Sequence, residues 1–389
     1  MTNDRPFDRR AVLGGIGLSS AALLTGSAAG CAAAGPQPYP LPPRMRGTSL
    51  ETSRRTPSVS MVRQYAAWGI NTVRINLTTD AANRDAPDTS GPAPTGRDPL
   101  APYRQNLARL KAFTAACAGA GIGVILAADA IYGRRSPVAK QEPVRYREAL
   151  TETLYSFWSN VARELRGDPA IFAYDVLNEP NFEGEPPGSF ARNFWRDSIL
   201  PEAVRRIRRV NRDIWLIVMP WPWGLPTYYD GMKLVDDSRV LYSFHSYAPR
   251  RYTHQGIDAI SAARGQLAYP GTMRDFDTSV MSRWDRAGYH AYLKPVLDFR
   301  DRHQVRMMAS EFGVVRWAPG KDRYVSDVVS IFEEEGLDWL FHSYGSWNGW
   351  NPTFAPDASD AVPREILDGG YRSGAHQVLL ENWQKNRVR

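Results

Sequence analysis

The 389-residue chain has little cysteine, and that scarcity is the first constraint on it. Two residues, Cys31 and Cys117, cannot organise a disulfide framework, so the fold must rest on a packed core. Cys117 lies in the Ala-rich helical stretch KAFTAACAGAG and reads as a small buried filler. Histidine is also scarce: the six residues are dispersed, with no HExxH and no close Cys/His cluster, so no metal site is evident. Glycine-rich phosphate loops are absent, which argues against a nucleotide cofactor. No internal repeat, Ser/Gly-rich linker or spare block for a second module stands out, and one domain can hold the core. Excess charge is slight, +7 overall, with basic residues scattered apart from small clusters such as Arg205, Arg206, Arg208 and Arg209. These lack the motif context of a nucleic-acid reader and read as a solvated helix face, so no nucleic-acid partner is expected.

Long hydrophobic runs are missing too. The uncharged stretch AVLGGIGLSSAALLTGSAAG is too weakly apolar, and too rich in Gly and Ala, for a good stop-transfer helix. It follows Arg9 and Arg10, a pair that resembles a twin-arginine signal, which would imply export of a folded protein. Cys31 follows Ala28, Ala29 and Gly30, similar to a bacterial lipoprotein cleavage site except that Ala28 stands where Leu is usual. Residues 1–34 are therefore expected to be an export signal. The product is either tethered to a membrane through a lipidated Cys31 or simply cleaved and released, and its expected location is the periplasm, the cell surface or the medium. Residues 35–45, GPQPYPLPPRM, form a Pro-rich tether.

From residue 46 to 389, strand-like apolar runs alternate with amphipathic helical patterns, as in repeated βα units. Eight strands are predicted near Arg46–Leu50, Asn71–Leu77, Gly123–Ala128, Ile171–Leu177, Ile214–Met219, Val240–Phe244, Val305–Ser310 and Leu337–His342. Helical patterns run over Ser58–Trp68, Tyr103–Ala120, Arg147–Arg166 and Asp322–Glu335, and Gly374–Asn386 can close the ring. Segments leaving strands are long and rich in Gly, Pro and aromatics, as in Thr78–Pro102, Ile131–Val144 and Ala248–Arg286. Segments returning to strands are short, as at Gly69–Ile70 and Gly121–Ile122. Long loops on one face and short ones on the other describe an α/β fold of the (β/α)8 TIM-barrel type, a single domain with a built-up active face.

Two glutamates end short apolar runs on that face: Glu179 in IFAYDVLNEP and Glu311 in RMMASEFGVV. Paired carboxylates across one cleft suit cleavage of a glycosidic bond, one protonating the leaving oxygen and the other attacking the anomeric carbon. The donor needs its acidity weakened and the nucleophile must stay ionised, so the two require different surroundings.

With these motifs in order, from NTVRINL through DVLNEP, YSFHSYAP and ASEFG to HSYGSWNGWNP, the chain resembles glycoside hydrolase family five over roughly residues 46–380. The resemblance implies that Glu179 is the general acid/base and Glu311 the nucleophile. It also implies that Arg74 sits beside the nucleophile and that Asn178 donates to the sugar 2-hydroxyl. Tyr247 is expected near the nucleophile with His245 lining the cleft, their two-residue spacing putting both on one strand face. Trp347 and Trp350 are expected stacking platforms for a sugar ring, with Trp221 and Trp223 extending the floor; Trp68, Trp158 and Trp215 are expected in the core. Many family members carry a His at the end of strand three, where this chain has ILAADA, so Asp129 is the nearest residue to contact a hydroxyl. The expected substrate is an oligo- or polysaccharide, a β-1,4-linked glucan or mannan, cleaved with retention by a monomer without cofactor. The alternatives are an exo-acting β-glycosidase, a transglycosylase, or an inactive carbohydrate-binding lipoprotein.

Overall fold

The computed structural model describes residues 41–51, 57–78, 101–129, 143–181, 189–275, 280–363 and 365–387, all within the unit Pro36–Arg389. The expected export signal, Cys31 and the start of the tether lie outside the described residues. Eight parallel strands close into a barrel: β1 (Arg46–Glu51), β2 (Thr72–Thr78), β3 (Gly123–Asp129), β4 (Ile171–Asp175), β5 (Trp215–Val218), β6 (Val240–Ser246), β9 (Met307–Phe312) and β10 (Asp338–Phe341), with β10 pairing back to β1. Each lies within two residues of its predicted bounds. Two further strands, β7 (Gly271–Arg274) and β8 (Met281–Trp284), form an antiparallel hairpin within Ala248–Arg286, a stretch read from sequence as a loop. Only Met273 and Trp284 of that hairpin are buried, so it carries almost no apolar alternation to betray it.

The helices between strands are α1 (Val59–Trp68), α2 (Ala101–Gly119), α3 (Pro143–Leu165), α4 (Ser189–Phe194) running through a π turn (Trp195–Ile199) into α5 (Leu200–Val210), α6 (Arg250–Thr253), α7 (Arg286–Tyr292), α8 (Lys294–His303) and α9 (Lys321–Glu334). The last, α10 (Gly374–Gln384), closes the ring: Trp383 stacks on Trp68 of α1 at 6.0 Å. Helix α1 shows why these segments start and stop where they do. Ser58 caps its first turn through Oγ, and Gly69 ends it in the left-handed conformation, φ 88°, where a side chain would meet the Trp383 carbonyl.

Alternation along the strands sorts residues into two layers. Val73 and Ile75 of β2, Val124 and Leu126 of β3, and Tyr174 of β4 point outward into the core shared with the helices, which also takes Cys117, Trp68 and Trp158. Inside the barrel, Ile125, Phe172, Ala173, Ile217, Leu241, Met308 and Leu340 form a separate apolar plug near the strand starts, with Trp215 partly buried against it. Above the plug the inward positions turn polar: Ser49, Arg74, Asn76 and Asp175 are all buried. The apolar layer seals the bottom, and the strand ends carry the chemistry.

Candidate active site

Strict alternation on β9 would send Glu311 outward, since Met308 faces the plug and Ala309 the helices. The register with β6 instead skips Ser310, pairing Phe244 with Ala309 and His245 with Glu311. This one-residue bulge turns Glu311 into the barrel and sends Phe312 outward onto Phe332 of α9 and onto Trp339. Just beyond, Gly313 allows β9 and β10 to close up, because a Cβ there would lie 2.2 Å from the His342 carbonyl oxygen.

Glu311 is saturated with partners. Its Oε1 accepts from Arg74 Nη1 at 2.7 Å and more distantly from Ser49 Oγ at 3.4 Å and Asn76 Nδ2 at 3.5 Å. Its Oε2 accepts from the Tyr247 hydroxyl at 2.8 Å, and His245 Nδ1 and His342 Nδ1 stand 3.6 Å and 3.9 Å from it. Burial alone would push this carboxyl up; His245, His342, Arg74 and the Tyr247 hydrogen bond outweigh it and hold Glu311 well below the usual carboxylate range. Burial, reinforced by the Glu311 charge, pushes the Tyr247 hydroxyl well up, so it remains a donor.

Glu179 is held differently. It follows β4 in a loop, a third of its side chain is exposed, and its Oε1 lies 2.9 Å from His245 Nδ1. Its backbone adopts φ 45°, a left-handed conformation that a non-glycine residue takes at a cost. The next residue's carbonyl, on Pro180, accepts from Trp223 N at 3.1 Å, which ties this loop to the one after β5. A carboxylate oxygen of Glu179, one of Glu311 and a His245 ring nitrogen all lie within 4.8 Å of one another. Such a donor set resembles a cation site, but Arg74 and Tyr247 already engage both Glu311 oxygens.

Arg74 is completely buried and binds two carboxylates at once: Nε and Nη2 reach Asp175 Oδ2 at 2.9 and 2.8 Å, while Nη1 reaches Glu311. Nη2 also donates to Asn178 Oδ1 at 2.8 Å, which fixes the amide with its oxygen toward the guanidinium. The two carboxylates respond in opposite directions. Burial pushes Asp175 up because Arg74 is its main compensation and Oδ1 has no hydrogen-bond partner, whereas Glu311 has partners on both oxygens. Asp175 was not singled out in the sequence; its place one residue past the outward Tyr174 in DVLNEP was the available signal.

Other candidates separate. Trp221 is not part of the cleft floor: it is 1% exposed and packed in the core, because the loop after β5 turns it inward. Trp223, left-handed at φ 53°, lines the cleft instead, in a cavity of ≈ 300 Å³ on the Glu179 flank shared with Leu225, His245, Tyr247, His254 and Tyr292. Trp350 is largely buried and braces the site, its ring 5.6 Å from Tyr247, 4.8 Å from His254 and 5.5 Å from His342. Trp347 is partly exposed and packs edge-on against Trp350 and Trp317. Asp129 is the last residue of β3, and its side chain lies outside the described residues. His342 and His254 were not foreseen. His342 directly follows β10 and opens the motif HSYGSWNGWNP, and that place was its signal.

Residues 33–348 match the family profile described as cellulase (glycosyl hydrolase family 5). The chain belongs to glycosyl hydrolase family 5. Among curated relatives, Endoglucanase C of Acetivibrio thermocellus is 23% identical over 228 residues, 51% of this chain and 64% of its own length. Cellodextrinase A of Ruminococcus flavefaciens is 21% identical over 216 residues, 55% of this chain and 59% of its own. The chain spans less than two thirds of the length of these relatives. Among solved structures, a hyperthermophilic endo-beta-1,4-glucanase in complex with substrate is similar with TM-score 0.64 at 18% identity, over 87% of this chain and 97% of the other. Thermotoga maritima Cel5A with mannotriose gives 0.62 at 14%, over 86% and 97%. At that identity these likenesses carry the fold, and the family 5 barrel is common to them.

Proposed function

We propose that this family 5 protein is a retaining endo-acting glycoside hydrolase that cleaves β-1,4-linked glucan or mannan by double displacement. The observation that carries the reading is the pairing of Glu179 and Glu311 oxygens within 4.8 Å across one cleft. Retaining enzymes hold their carboxyl groups about 5–5.5 Å apart, whereas inverting ones leave about 6.5–9.5 Å for a water. The surroundings support distinct roles. Glu311, ringed by cationic and donor groups and held ionised, is the nucleophile. Glu179, partly exposed at the cavity wall, is the proton carrier.

In the first step a Glu311 oxygen attacks the anomeric carbon, the glycosidic bond breaks, and the Glu179 proton goes to the departing oxygen. In the second, Glu179 takes a proton from water, whose oxygen attacks the same carbon and releases Glu311. Arg74 and Tyr247 keep the nucleophile charged and oriented, and the Asn178 amide, its oxygen held by Arg74, presents NH2 to the sugar 2-hydroxyl. Trp223, with Trp347 as a second candidate, offers the aromatic surface for ring stacking.

Proton NMR of early products from a β-1,4-glucan tests the stereochemistry: the β-anomer appearing first supports the reading, and the α-anomer first refutes it. Endo action predicts mixed oligosaccharide sizes from the outset; release of one size alone contradicts it. We further propose export through Arg9 and Arg10, ending either in lipid attachment at Cys31 or in cleavage and release. Metabolic labelling with palmitate, lost in Cys31→Ser, tests the attachment, and an unlabelled wild type contradicts it.

A further inference from the structure

The strand ring puts Glu311 between two neighbours: β6 brings His245 and Tyr247 from one side, and β10 brings His342 from the other. His342 is 6% exposed and rigidly seated. Its backbone N donates to the Phe312 carbonyl at 2.7 Å, and its ring meets Trp350 at 5.5 Å and 73° and Tyr247 at 6.1 Å and 85°. Yet neither ring nitrogen is hydrogen-bonded to a described residue. Nδ1 is shut off from solvent with no hydrogen-bond partner, and Glu311 Oε2, 3.9 Å away, is beyond hydrogen-bond reach. Buried polar atoms in native proteins are nearly always paired, so an orphan beside a nucleophile calls for an account.

The carboxylate supplies one. In the neutral imidazole, a negative oxygen on the Nδ1 side favours the tautomer with its proton on Nδ1, which leaves Nε2 as a bare acceptor. Nε2 is not among the solvent-shielded unpartnered atoms. We propose that His342 is a specificity residue whose Nε2 accepts a hydrogen bond from one hydroxyl of the sugar ring bound at Glu311. The inference rests on the reading of Glu311 as the nucleophile in a sugar-binding cleft, and it adds a contact made from β10.

The test uses 4-nitrophenyl β-cellobioside and analogues each lacking one hydroxyl on the reacting ring. His342→Leu should lower kcat/KM about 10-fold on the parent, the loss of one partly desolvated hydrogen bond. On one particular deoxy analogue that loss should vanish, because the partner is already gone. His342→Gln, which returns an acceptor close to the Nε2 position, should recover most of the rate, and His342→Asn, which mimics Nδ1, should not. Equal losses on every analogue, no loss on the parent, or rescue by Asn alone would overturn the proposal in favour of a packing or Glu311-directed role. If the wild type fails to turn over any of these substrates, the glucan reading falls, and titration calorimetry with cellotriose and mannotriose still decides on His342. A roughly 10-fold weaker binding in His342→Leu then supports the contact, and unchanged binding removes it. If the Leu variant loses its thermal transition, the Gln and Asn pair is compared on the same analogues, and equal rates there overturn the proposal.

Discussion

Replacing Arg74 by Met keeps length and apolar bulk but strands two buried carboxylates, Asp175 and Glu311, that share this one guanidinium. Removing one partner from a buried ion pair costs about 3–5 kcal/mol. Taking about 2 °C per kcal/mol for a domain of this size, Tm at neutral pH should fall by about 6–10 °C. Two pH effects follow with definite sign. Glu311 is depressed in the folded enzyme, so its stabilising contribution is present above the ordinary carboxylate value of about 4 and lost only as pH falls through its lowered one. Without Arg74 its carboxyl rises, and the acid limb of kcat/KM, silent for Glu311 in the wild type, moves to higher pH. Asp175, already raised by burial, rises further, and a raised carboxyl favours the folded state at low pH. The Tm deficit of Arg74→Met should therefore shrink on acidification as both stranded charges are protonated. Differential scanning fluorimetry across pH, with kcat/KM on an aryl cellobioside, measures both. Adding Asp175→Asn should recover part of the Tm without recovering activity. A variant with Tm within about 2 °C of wild type and an unmoved acid limb would refute the reasoning.

Tyr247→Phe removes the hydroxyl that donates to Glu311 at 2.8 Å, and kcat/KM should fall about 10- to 100-fold with the acid limb shifted upward; an unchanged pH profile would count against it. Trp223→Ala should raise KM about 10-fold with Tm nearly unchanged, as for a stacking surface on the cavity wall. Trp221→Ala should do the reverse, costing about 3–5 kcal/mol of stability through a core cavity, read as a drop in Tm. If Trp221 governs KM and Trp223 governs Tm, the assignment of cleft and core is inverted.

The barrel was legible because its strands are short, largely apolar runs bounded by Gly, Pro and polar residues, as buried parallel strands are. The carboxylates were legible because each closes such a run. What stayed hidden depends on register and reach. The bulge at Ser310 aims Glu311, yet MMASEF alternates no differently from a plain strand, and the skip emerges only from its pairing with β6. Asp175 gains its importance from a guanidinium on β2, 101 residues away in sequence. Trp221 and Trp223 are two residues apart in one loop of identical composition, and only the loop's path separates core from cleft. The β7–β8 hairpin is mostly exposed and carries too little apolar pattern to announce itself.

The central claim is that Glu311 forms a covalent bond to sugar, and an activated 2-deoxy-2-fluoro β-cellobioside tests it directly. Slowed turnover of the intermediate should leave one fluorocellobiosyl group on the intact protein by mass spectrometry, mapped to the peptide carrying Glu311 and absent from Glu311→Gln. An unlabelled active enzyme, or a label on any other residue, would contradict the account.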